Sequence, residues 1–236
     1  FGRLIVEKQF RRVHPIVEPH PFRGWDYEVA RDGAFVSSGP VPADAPLVSI
    51  ITRTVSGREH LLKQAMASVN NQTYINIEHI IVQDGGNSME AVITDVAQSS
   101  HGAVTFYGLP KIGRSAAGNY GVLRANGKWC VFLDDDDLLF ADHVETLMHL
   151  INADTTLHGA VSLAWQIETE YLNEDKTLYR EMEPSILEVS KLEINSEILR
   201  RNLVAIQSVL FLREKYLQIG GMPEDLDVLE DWVLWA

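Results

Sequence analysis

Between Leu47 and Leu133 four short β-rich runs alternate with three stretches of helical periodicity, and this alternation constrains the fold more than any other feature. Strand, helix, strand in repeated order is the sequence form of βαβ units, because parallel neighbours need a crossover and the crossover is commonly a helix. The predicted strands are Leu47 to Thr52 (LVSIIT), Ile77 to Val82, Ala103 to Tyr107 and Lys128 to Leu133 (KWCVFL). Ser56-Gly57-Arg58-Glu59 reads as a capping box opening a helix with Leu61, Leu62, Ala65, Met66 and Val69 on one face. Asn87 to Gln98 and Ser115 to Ala125 read as the next two helices, and Asp142-x-x-Glu145 caps a fourth carrying Val144, Leu147, Met148 and Ile151 on one stripe. Beyond residue 159 the pattern loosens. Ala160 to Ile167, Thr177 to Arg180 and Leu203 to Leu212 read as strands, and Gly220-Gly221 ends a short helix.

Six of the nine prolines fall within the first 46 residues, which rules out a regular helical layer there and predicts an extended arm and linker over 1–45. The remaining span, 46–236, has the length of one α/β domain. Basic and acidic residues balance over 1–60 but not over the body, and the net charge of −13 disfavours nucleic acid and anionic membrane as partners. A single cysteine, Cys130, excludes a disulfide framework and a cysteine zinc site. With neither a membrane-spanning apolar run nor a signal-peptide core, the expectation is a cytoplasmic protein, with the cytoplasmic face of the membrane as an alternative station.

In a parallel α/β sheet ligands bind beyond the carboxyl ends of the strands, so the residues leaving each predicted strand carry the functional reading. They are Thr52-Arg53-Thr54, Gln83-Asp84-Gly85-Gly86 and Asp134-Asp135-Asp136-Asp137, with Gly113-Arg114-Ser115 opening the third helix. Four adjacent carboxylates repel one another unless they are solvated or neutralised, and an all-oxygen set suits magnesium or manganese. A solvated acidic turn capping the next helix is the simpler alternative. Arg53 and Arg114 have the guanidinium geometry that fits diphosphate oxygens, or they are surface charges. Asp84 before two glycines suits a base or ribose, or a simple turn. Glu230-Asp231 near a helix start suits a catalytic base, or a favourable helix-dipole charge. There is no Gly-x-Gly-x-x-Gly after the first strand, no P-loop, and no EF-hand spacing in the aspartate run.

Together these residues resemble family 2 of the inverting glycosyltransferases. The aspartate run continues Phe132-Leu133, as in that family's Phe-Leu-Asp-x-Asp-Asp motif, with Asp135 at the variable position. Ser115-Ala116-Ala117-Gly118-Asn119-Tyr120-Gly121 follows a second signature, with Gly118 where the family usually carries arginine and Arg114 as a candidate substitute charge. IIVQDGGNS, Ile219-Gly220-Gly221-Met222 and Glu230-Asp231-Trp232 resemble three more segments.

The resemblance, spanning about Pro46 to Trp235, implies a GT-A (Rossmann-like) α/β fold, a mostly parallel sheet flanked by helices. It implies nucleotide-sugar binding by Thr52, Arg53, Thr54, Asp84, Arg114, Asn119, Asp134 and Asp135, and a Mn2+ or Mg2+ ion on Asp134, Asp136 and Asp137. Asp231 is the implied general base, with Glu230 as the neighbouring acid. The implied partners are a nucleotide-diphosphate sugar, foremost a UDP-sugar, and a glycan or other hydroxyl acceptor. The chain ends five residues after Asp231, where many relatives continue, so donor-site closure and further domains are expected from sequence beyond Ala236. The rival reading is a non-catalytic nucleotide-sugar or glycan-binding scaffold within a larger protein.

Overall fold

The computed structural model describes residues 45–98, 100, 102–173, 178–182, 185–186, 202, 204–226 and 228–235. The predicted arm, apart from Ala45, lies outside them, as do Thr177 and Leu203 at the starts of two predicted strands.

The alternation read from the sequence folds as β1 (Val48–Thr54), α1 (Glu59–Asn70), β2 (Ile77–Asp84), α2 (Glu90–Ala97), β3 (Ala103–Leu109), α3 (Arg114–Arg124), β4 (Trp129–Asp134) and α4 (His143–Ala153). These are followed by short strands β5 (Gly159–Val161), β6 (Trp165–Gln166), β7 (Thr169–Tyr171), β8 (Tyr179–Glu181) and β9 (Ser185–Ile186). The chain then runs through β10 (Val209–Leu212), α5 (Arg213–Gln218) and α6 (Glu230–Trp235). The main sheet has the order β3-β2-β1-β4-β10-β5, parallel from β3 to β4, with β10 antiparallel to both its neighbours.

β1 and β2 are buried along their whole length because helices cover both faces of the sheet. Side chains alternate between two cores. Val48 and Ile50 join Val131, Leu133, Ala65 and Leu147 on the α1 and α4 face, while Ile51 joins Val82, Phe132, Ala117 and Val122 on the α3 face. α3 approaches β1 closely through Gly121, where a Cβ would stand 2.4 Å from Ile51 Cγ2.

Three local expectations are corrected. α1 starts at Glu59 with Arg58 in the cap position and no side-chain capping bond, and the hydroxyl of Ser56 meets that of Ser88 at 3.0 Å instead. Ala160 to Ile167 is broken into β5 and β6. Among the described residues of the apolar run from Leu203, a 3-10 turn at Ile206–Ser208 comes first and Val209–Leu212 alone form a strand, where the chain enters the sheet between β4 and β5.

Candidate active site

Strand order reverses between β1 and β4, and at such a switch point the carboxyl ends of the strands splay around a crevice. Arg53 and Asp134 are register partners there. The Arg53 guanidinium, only 6% exposed, donates through Nε and Nη2 to the two carboxylate oxygens of Asp134 at 2.8 and 2.9 Å. Through Nη1 it donates to Glu230 Oε1 at 2.9 Å. Arg114, from the first turn of α3, adds bonds to Asp134 Oδ2 at 3.1 Å and Glu230 Oε1 at 3.0 Å. Two guanidiniums and two carboxylates thus tie together β1, β4, α3 and α6. Burial opposes the charge on Arg53, but Asp134 and Glu230 outweigh it and raise its pKa.

The position where the family usually carries arginine is filled from elsewhere. A Cβ on Gly118 would lie 3.3 Å from Arg53 Cδ and 3.3 Å from the Phe132 ring, so the stem of Arg53 occupies the space over α3.

A second network lies beside the first. Thr54 Oγ1 donates to Asp135 Oδ2 at 2.6 Å, and Arg58 pairs with Asp135 at 3.1 Å and with Asp136 at 2.6 Å. Burial raises the Asp135 pKa to about 6, against the bond from Thr54 and the charge of Arg58. The carboxylate of Asp137 has no hydrogen bond or ion pair among the described residues. Burial and the charges of Asp134, Asp136 and Asp135 push it up to about 7. The repulsion expected of four carboxylates is therefore met by paired arginines at three of them, while among the described residues Asp137 has no direct partner and feels Arg53 only at a distance.

Among the described residues no group of three or more His, Cys, Asp or Glu is arranged to hold a metal ion. Asp136, half exposed and paired with Arg58, and Asp137, which has no partner among the described residues, nevertheless fit a magnesium or manganese ion that takes one or two carboxylates and completes its shell with water and phosphate oxygens. Asp134 is engaged by both arginines and would have to leave them to join such an ion.

Asp84 ends β2 in a third cluster. Its Oδ2 accepts from Lys111 Nζ at 2.6 Å, and its Oδ1 accepts from the backbone N–H groups of Ile112 and Gly113 at 2.7 and 3.2 Å. Burial would raise this carboxyl, but these bonds prevail and hold it below the ordinary carboxylate value. Asp84 therefore fixes the loop that delivers Arg114.

Thr52 and Asn119 are spent on the scaffold. Thr52 is fully buried with Oγ1 2.8 Å from His79 Nε2. Asn119 Oδ1 accepts from Tyr216 Oη at 2.5 Å and Met222 N at 2.9 Å, while Nδ2 donates to Met222 O at 3.0 Å and Glu224 Oε1 at 2.8 Å. That uses the full capacity of the Asn119 amide. The same packing requires Gly221, at φ 78°, because a Cβ there would stand 2.5 Å from Asn119 Oδ1. At the start of α6 the two acids differ in kind. Glu230 is 2% exposed and held by two arginines, while Asp231 is partly exposed and accepts from Asn202 Nδ2 at 3.1 Å.

Sequence reasoning missed Arg58 and Lys111 as partners of the acids. The sequence pattern places Arg58 in a capping box, yet its position just past the end of β1 is also that of a counter-ion for the aspartates.

A mostly parallel sheet flanked by helices, with charged clusters beyond its carboxyl edge, defines a GT-A-like α/β domain. Solved structures of that kind align with it. The S. aureus TarS segment 1-349 does so at TM-score 0.55 and 15% identity, over 80% of this chain and 54% of that one. The mannosyltransferase PcManGT from Pyrobaculum calidifontis, in complex with GDP-Man and Mn2+, aligns at TM-score 0.55 and 16% identity, over 87% of this chain and 55% of that one. The family model described as "Glycosyl transferase family 2" matches residues 49–211, and the chain belongs to that family. An uncharacterized glycosyltransferase of Rickettsia felis is 28% identical over 201 residues, covering 83% of this chain and 32% of the relative. Another, of Methanocaldococcus jannaschii, is 25% identical over 194 residues, covering 81% and 64%. The chain thus spans about a third of the rickettsial relative and under two thirds of the archaeal one. No helix among the described residues is long and apolar enough to cross a membrane.

Proposed function

We propose that this domain transfers a sugar, with inversion, from a nucleoside-diphosphate donor to an acceptor hydroxyl. The observation that carries the proposal is the contrast between Glu230 and Asp231. Glu230 is locked between Arg53 and Arg114, whereas among the described residues Asp231 accepts one bond, from a neutral amide, and keeps lone pairs for a proton. Asp231 takes the proton of the acceptor hydroxyl as that oxygen attacks the anomeric carbon from the face opposite the leaving diphosphate. An α-linked donor then gives a β-linked product.

Arg114, about half exposed, turns from Asp134 toward the diphosphate, while the buried Arg53 stays and holds Glu230 neutralised. Asp84 and the glycines after it meet the base or ribose. Asp136 and Asp137 would hold a divalent cation, with Asp134 as a third ligand only if it were released by both Arg53 and Arg114. When bound, that cation supplies charge stabilisation to the departing phosphate oxygens. UDP and UDP-GlcNAc in TarS structures, and GDP-Man with Mn2+ in PcManGT, support a nucleotide-sugar donor of this general class.

A thermal-shift screen of UDP- and GDP-sugars with and without manganese tests the reading. At a donor concentration about 100 times Kd, binding to the native state adds roughly 2.7 kcal/mol of stability. The shift is expected to be larger with manganese, and the manganese-dependent part is expected to vanish in Asp137→Ala. Equal shifts with manganese and with chelator would remove the metal from the account, and no shift with any donor would favour the scaffold reading.

A further inference from the structure

On the far side of the acidic turn from Arg114 lies a cleft of about 380 Å³, inside the size range of small-ligand sites. One wall is the β7–β8 ribbon. Tyr171 and Tyr179 are direct cross-strand partners, so both rings stand on the same face of the ribbon, and their centroids lie 6.4 Å apart in an edge arrangement. An ion pair between Glu170 and Arg180, the adjacent cross-strand partners, joins the strands on the other face. Trp165 of β6 also lines the cleft, Gln64 of α1 bonds to Tyr179 Oη at 3.3 Å, and the floor reaches Asp136 and Asp137.

A two-stranded ribbon is marginal by itself, and this one leaves Tyr171 40% exposed. The arrangement suits a ligand with a flat apolar face and a rim of hydroxyls. The rings offer the first surface, and Gln64, Gln207 and the two carboxylates offer hydrogen-bonding groups for the second. Among the described residues no lysine or arginine lines the cleft itself, and Arg58 reaches its floor only as the partner of Asp136, so the wall offers hydrogen-bonding groups for a neutral polyol and no cation set out for a diphosphate.

We propose that this cleft is a saccharide-binding subsite that receives a pyranose ring of the acceptor, which makes the acceptor a glycan. The assignment to the acceptor rests on the transferase reading above, while the saccharide chemistry rests on the cleft itself.

The test is ligand-observed NMR with the methyl pyranosides of glucose, galactose, mannose and N-acetylglucosamine, sorbitol as the open-chain control, and UDP titrated in parallel. At least one pyranoside is expected to bind saturably while sorbitol does not. Trp165→Ala and Tyr179→Ala are each expected to weaken it by about 2- to 10-fold, the range of one aromatic contact. Gln64→Leu, a helix-compatible change, is expected to weaken it as well should either aromatic variant fail to fold. UDP affinity is expected to stay unchanged in all of them. The proposal is overturned if no pyranoside binds, if binding is indifferent to the folded variants, or if saturating UDP displaces the pyranoside, which would put the ring on the donor side. Pyranoside binding with no nucleotide bound would retain the saccharide site and sink the transferase reading instead.

Discussion

Arg53 is the residue on which the site is assembled. It is buried, it bridges a strand end to the helix that carries Glu230 and Asp231, and its stem fills the space over Gly118. Arg53→Ala would leave Glu230 and Asp134 short of a partner in a buried setting, and a loss of about 3 kcal/mol is expected in urea denaturation. Pairing the change with Glu230→Gln should give a double-variant loss smaller than the sum of the two. Asp84 makes a pH-dependent contribution. Its carboxyl is held below the ordinary 3.8, so the stability it adds is present above that value and is lost as pH falls through the lower folded-state value. Asp84→Asn is therefore expected to cost about 1.5 to 3 kcal/mol at neutral pH, with the difference from wild type closing in strong acid, as read from urea midpoints against pH. Asp84 and the run from Asp134 to Asp137 were legible in the sequence because they stand at strand ends. Their partners were not, since Arg53 and Asp134 lie 81 positions apart and no local pattern announces a bridge of that span.

At the scale of elements, the βαβ portion was legible because β1, β2 and β4 are buried on both faces and read as continuous β-rich runs. β3, at the sheet edge, reads less clearly and extends two residues past its predicted end. Legibility failed where the environment, and not the local sequence, sets the boundary. The Leu203 to Leu212 run has the composition of one long strand, but among its described residues only Val209–Leu212 form one, between β4 and β5. Gly118 shows the same limit, since its lack of a side chain makes sense only once Arg53 is seen against it. Gly121, one turn further along α3, sets how near that helix comes to β1. Gly121→Ala would press a Cβ into Ile51 Cγ2, and despite the better helix propensity of alanine a net loss of about 1 to 3 kcal/mol is expected by chemical denaturation. A neutral or stabilising result would show that α3 can move outward without strain, and with it Arg114.

For the whole molecule, the acidic turn divides the carboxyl edge of the sheet into two sides of opposite character. Toward α3 and α6 lie Arg114, Lys111 and Asp84, a setting for an anionic nucleotide. Toward the β7–β8 ribbon lie aromatic rings, amides and carboxylates, with Arg58 and Arg180 spent on Asp136 and Glu170, the setting we propose for a neutral sugar. The first side was visible in the sequence as motifs. The second was invisible because three isolated aromatic residues become a surface only when two short ribbons fold over α1. Transfer between the sides needs a base, a role we propose for Asp231. The decisive measurement is donor-to-acceptor turnover by the Asp231→Asn variant of the full-length protein, with donor affinity measured alongside and Glu230→Gln as the neighbouring comparison. The account predicts a fall in turnover of roughly 100- to 10,000-fold, the usual contribution of a general base, with donor binding retained. A variant that turns over like wild type, losing only the roughly 0.3 to 1 kcal/mol of stability expected of a helix-dipole charge, would contradict it.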